Sequence, residues 1–239
     1  MTASPLLFWS FILLAGVLAS MVVWLTAVAG RQLGEPVETR RRWTVRTAVV
    51  VAAWLGLAWA TAATGVLARF DLRPPPLVLL PLGVFSAAAL AAWSPYGTRL
   101  IAGLPLTVLV GMQGFRVPLE LLMHQAAVEG LMPRQMSFAG WNFDILSGIG
   151  AIVVAWALHR GYGGRRLVLA WNWMGALLLA NVLVIAIVSM PAIAAFGPEA
   201  LNTWIAFPPF VWLPAVMVLT AIAGHLLVAR ALTQPAHDD

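Results

Sequence analysis

The chain has 239 residues, 62% of them hydrophobic and only 10% charged, with a mean hydropathy of +0.90. Soluble domains carry about 25% charged residues, so this composition belongs to an integral membrane protein whose main partner is the lipid bilayer. Cysteine is absent, which excludes disulfides, thiolate nucleophiles and Cys-based metal or cluster sites. Lysine is absent too, which excludes a retinal Schiff base. The fourteen cations are all arginine, and most cluster in short connections between apolar stretches. Their placement reads as a topology signal facing anionic lipid headgroups, not as a nucleic-acid surface.

Spacing predicts an all-α fold, one transmembrane domain covering residues 1–239, with seven spans near 5–29, 44–68, 76–94, 100–126, 145–160, 167–190 and 208–230. The first span lacks a cationic leader and is too long for a signal-peptide core, so it reads as uncleaved despite its Ala27-Val28-Ala29 pattern. With the N-terminus outside, ten arginines fall on the inner side: Arg31, Arg40, Arg41, Arg42, Arg46, Arg99, Arg160, Arg165, Arg166 and Arg230. Only Arg69, Arg73 and Arg134 fall outside, which predicts an N-out, C-in arrangement. Proline and glycine punctuate the connections at Arg73-Pro74-Pro75-Pro76, Ser94-Pro95-Tyr96-Gly97 and Gly161-Tyr162-Gly163-Gly164. Trp43, Trp93, Trp141, Trp171, Trp204 and Trp212 near the span ends read as interfacial anchors. Equal inverted halves, the mark of many transporters, are not evident.

The fourth span carries the chemistry. Arg116, Glu120 and His124 lie four apart on one predicted helical face, and Gln113 extends the stripe. A charge at the centre of a membrane helix costs roughly 2.5–3.5 kcal/mol on insertion scales, so these groups are expected to face inward and to pair, Glu120 with Arg116. Pro118 is expected to free the Gly114 carbonyl beside them. Asn142 and Asp144 end the polar loop that follows. Asp144 is expected foremost as a helix cap, and alternatively as a group folding back onto His124 or Arg116 to complete a pocket opening outward. Asn181 matches Glu120 in depth, whereas Asn172 and His225 read as packing groups, and Glu129, Glu199 and His159 as surface groups. The Glu-x-x-x-His spacing could offer two metal ligands, but the usual multi-histidine set is missing, so neither metal nor cofactor is expected.

The run QGFRVPLELLMHQAAVEGLMPRQMSFAGWNFDILSG, from Gln113 to Gly148, resembles the central signature of a family of small bacterial inner-membrane proteins of unknown function. The stretches WNWMGALLLANVLVIAIVSMP and FPPFVWLPAVMVLTAIAGHL are similar to that family as well, so the likeness covers about two thirds of the chain. It implies seven helices in a bacterial inner membrane and supplies no activity. From the residues themselves, the leading expectation is binding or proton-linked transport of a small polar or anionic solute, held at Arg116 with Glu120 and His124 exchanging protons. An enzyme using Glu120, His124 and Asp144 for acid–base or metal chemistry is the alternative. A structural or sensory protein with a buried ion-pair lock is the third.

Overall fold

The computed structural model describes residues 3–234, and every regular element among them is a helix. Two long helices open the chain, α1 (Pro5–Gln32) and α2 (Val37–Ala63). The Ser4 hydroxyl caps α1 by accepting the Leu7 N–H at 3.2 Å, with Pro5 presetting φ at the first helical position. A 3₁₀ turn at Pro76–Leu79 leads into α3 (Leu80–Trp93). Ser94 then caps a short α4 (Pro95–Gly103). The next span is built from α5 (Leu106–Gly111), a 3₁₀ turn (Met112–Phe115) and α6 (Arg116–Val128). After a folded loop come α7 (Ile145–His159) and α8 (Arg165–Val188). The last span opens with wide π turns at Leu213–Val218 and continues as α9 (Leu219–Thr233).

Six helical stretches are long and apolar enough to cross a bilayer: Pro5–Gln32, Val37–Ala63, Pro76–Trp93, Leu106–Val128, Arg165–Val188 and Leu213–Thr233. The chain is therefore a multi-pass membrane protein. The expected fifth span is α7, apolar but only 15 residues long, short of the roughly 20 that a bilayer needs. Other bounds shift for local reasons. The second span starts at Val37, not near 44, because Pro36 forms its boundary and the arginines at 40–42 continue its first turns. The expected span at 100–126 is cut at Leu104-Pro105, since proline disfavours helix in the residue before it. Leu104 is accordingly extended, at φ −118° and ψ 132°.

Packing separates into two apolar clusters. One gathers Leu7, Phe11, Leu119, Met123, Leu179 and Met217. The other gathers Leu25, Leu100, Leu109, Val154, Val168 and Leu227. Helices α5, α6, α8 and α9 each contribute to one or both, so residues such as Arg116 and Asn172 are left between them. Two of the expected tryptophan anchors lie inside. Trp204 is buried against Phe11 and Phe210, and Trp171 is buried in the second cluster.

Polar clasps hold the two ends. Near the arginine-rich end, Arg99 donates from Nε and Nη2 to both Glu35 oxygens, at 2.7 and 2.6 Å, and from Nη1 to the Thr26 carbonyl at 2.8 Å. This arginine, expected among the lipid-facing topology residues, is buried and joins α4 to the turn between α1 and α2. Its bidentate donation holds the Glu35 carboxyl below the usual carboxylate range. A group with a depressed folded pKa contributes stability above its unfolded pKa and loses it as pH falls through the folded value. Melting in detergent below about pH 4.5 should therefore show an acid-dependent loss. Glu35→Gln should remove that component, and an unchanged acid limb would show that the clasp contributes nothing. At the other end, Glu129 is not merely solvated. It accepts from Gln125 Nε2 at 2.9 Å and from the Ser4 hydroxyl and N–H at 2.6 and 2.8 Å, tying α6 to the start of α1.

Candidate functional site

Arg116 is the largest fully buried side chain among the described residues. Its Nε donates to Asp144 Oδ2 at 2.7 Å and its Nη2 to Asp144 Oδ1, a bidentate ion pair. Nη1 donates to the Ser147 hydroxyl at 2.9 Å and to His225 Nε2 at 2.7 Å. An arginine only donates, so His225 Nε2 must accept. The imidazole hydrogen then sits on Nδ1, which donates to Asn172 Oδ1 at 2.9 Å. Trp171 stacks on that ring with centroids 5.3 Å apart and donates its Nε1–H to the Ser147 carbonyl at 3.0 Å. One guanidinium thus ties α6 to α7 and α9, and His225 carries the network on to α8.

The partner of Arg116 is Asp144 and not Glu120, which makes no ion pair with any of the described residues. The helix itself supplies a reason. Side chains lean toward the helix N-terminus, and a cation placed before a carboxylate at i, i+4 is the poorer order. A rigid fork on the neighbouring segment offers two charge-assisted bonds instead. Asp144 stands at the N-cap position of α7, but its carboxylate caps no helix N–H and goes to Arg116 instead, while its own N–H donates to Asn142 Oδ1 at 2.9 Å. Pro118 lies in the first turn of α6 behind a 3₁₀ turn, where a missing N–H breaks no established helix.

Glu120 is 1% exposed and accepts from Asn142 Nδ2 at 2.8 Å. The same Asn142 amide donates to the Met136 carbonyl at 3.0 Å and accepts the Asp144 backbone N–H, so one buried asparagine joins the Glu120 carboxylate to the backbone at Asp144. Arg116, Glu120 and Asp144 also share the wall of a cavity of about 40 Å³, closed by Leu119, Met136 and Leu179 among others. That volume suits a water or two, since liquid water occupies about 30 Å³ per molecule. Arg116, Glu120, Asn142 and Asp144 are all buried.

The remaining expected residues are dispersed. Gln113 is buried and donates to the Ala221 carbonyl at 3.3 Å, while its Oε1 has no partner among the described residues. His124 is half-buried and stacks on Phe138 at 4.4 Å, with its Nδ1 buried and without a partner among the described residues. Asn181 binds the Trp141 carbonyl at 2.8 Å, away from Glu120. No three His, Asp or Glu side chains among the described residues are grouped to hold a metal ion.

Sequence reasoning missed Ser147, Asn172, Trp171 and His225 as members of the cluster. His225 had a signal, being an ionisable group in an apolar span, but nothing in the sequence measures its distance from Arg116. Two glycines make the approach possible. A Cβ at Gly148 would fall 2.9 Å from the Val117 nitrogen, and one at Gly175 would fall 2.6 Å from His225 Cε1. No family model, no curated protein and no solved structure matches the chain.

Proposed function

We propose that this is a seven-span protein of a bacterial inner membrane, N-out and C-in, that binds or transports a small polar solute by proton linkage through Glu120. The observation that carries the reading is a buried carboxyl that makes no ion pair with any described residue, on the wall of a small cavity. Such a group must hold a proton or recruit a cation when buried in a membrane interior. Protonation and release at Glu120 therefore provide a switch that the neutralised Arg116–Asp144 pair does not. Access for an anionic solute to Arg116 requires the Asp144 bond to open.

Infrared difference spectroscopy tests the switch directly. Stepping the pH should produce a protonated-carboxyl band that is missing from Glu120→Gln protein. If that band persists in Glu120→Gln, or no carboxyl responds to pH, proton linkage at Glu120 is wrong. The topology has its own check, which α7 makes worthwhile because of its length. Reporter fusions after Arg42 and after Arg166 should report cytoplasm, and a fusion after Arg134 should report periplasm. The reverse pattern overturns the orientation.

A structural lock is the second reading. Its support is the engagement of Arg116 by three side chains, Asp144 and Ser147 at the start of α7 and His225 on α9, the pattern of a clamp that sets one helix arrangement.

A further inference from the structure

A larger cavity lies away from the Arg116 cluster. It is a groove of about 440 Å³ between α1, α2, α3 and the π turns that open the last span. That volume falls within the roughly 300–1,000 Å³ of ligand pockets. Leu18, Val22, Val50, Val51, Trp54 and Leu90 supply much of its wall. Helix α2 packs chiefly on α1, and only Thr47 and Ala62 of its residues are buried. Its flank toward α3 therefore remains open to the bilayer.

The polar groups of this groove are nearly all at one end. Thr47 and Tyr96 both lie within hydrogen-bond reach of the Thr26 hydroxyl, at 3.5 and 3.1 Å, so they are already engaged. Deeper in, the Trp54 Nε1–H is taken by the Ala215 carbonyl at 2.7 Å. Arg46 differs. It is exposed, lines the mouth, and makes no hydrogen bond or ion pair with any described residue. Arg41 and Arg42 are exposed one turn before it. A dry apolar slot suits hydrocarbon, and a basic mouth at the membrane surface suits an anionic headgroup.

We infer that this groove seats one acyl chain of an anionic phospholipid whose headgroup phosphate is bound by Arg46. The site stands independently of any proton linkage at Glu120. Native mass spectrometry of the detergent-purified chain, titrated with phosphatidylglycerol or with phosphatidylcholine of the same chains, reads it out. One phosphatidylglycerol should be retained per chain, with phosphatidylcholine held about fivefold more weakly, the effect of one surface cation on an anionic lipid. Arg46→Gln should bring the two lipids level, and Ala87→Trp, which fills the groove, should abolish retention of both. Equal retention of the two lipids by the natural chain overturns the proposal. In vesicles of mixed phosphatidylglycerol and phosphatidylcholine, a photoactivatable acyl chain on the former should crosslink at Val50, Val51, Leu90 or Ala91. That map decides the matter if Ala87→Trp fails to fold. Crosslinks scattered around the perimeter, or a second copy of the chain seated on the groove, would overturn the assignment.

Discussion

Asp144→Ala should lower the stability of the protein by about 3–5 kcal/mol, the range for removing one partner of a buried ion pair. The loss arises less from the missing attraction than from the guanidinium left behind. Arg116 has no exposed surface, and without Asp144 its Nε and Nη2 face an apolar interior with no compensating acceptor. Arg116→Ala should be comparably damaging, because Asp144 is then the unpaired charge. The double variant should be far less destabilised than the sum of the two, since it removes both charges at once. Unfolding in detergent across the four proteins gives this coupling directly. Additive losses would show that the bidentate geometry is energetically idle. The corresponding cycle between Arg116 and Glu120 should give a smaller coupling, because no hydrogen bond joins that pair.

Asn142→Ala should have the second largest effect, about 3 kcal/mol, although it removes no charge. Three buried groups depend on this amide: Glu120 Oε2, the Met136 carbonyl and the Asp144 N–H. Leaving a buried polar group unsatisfied costs roughly 1–3 kcal/mol, and some of that will be recovered where the loop relaxes. The loss should be concentrated at the loop and the start of α7, where hydrogen exchange of the Asp144 amide would rise. Asn142→Asp makes the complementary test. It keeps the shape but sets a second carboxylate against Glu120, so this variant should be more stable in acid than in base. A melting temperature independent of pH for Asn142→Asp, equal to that of the natural chain, would mean that Asn142 does not engage the Glu120 carboxylate.

How much of this was legible in the residues differs from feature to feature. Composition alone established the membrane setting, because backbone hydrogen bonding in hydrocarbon permits helices and closed barrels and the apolar runs have helical length. The same reasoning made Arg116 and Glu120 conspicuous, since an ionised group inside a span needs a partner. Sequence periodicity could not choose that partner. It describes neighbours along one helix, and so it paired Arg116 with Glu120, whereas the bidentate carboxylate comes from Asp144, 28 positions away. His225, 109 positions from Arg116, is reached only because α9 packs across α8 and the preceding 3₁₀ turn. Nor could periodicity foresee that His124 would stack on Phe138 and Asn181 bind Trp141, for a 3₁₀ turn and a folded loop alter which faces meet. Local propensity and hydropathy thus determined the helices and marked the residues that needed explanation. Helix packing, set by close approach at Gly148 and Gly175, decided which of them touch.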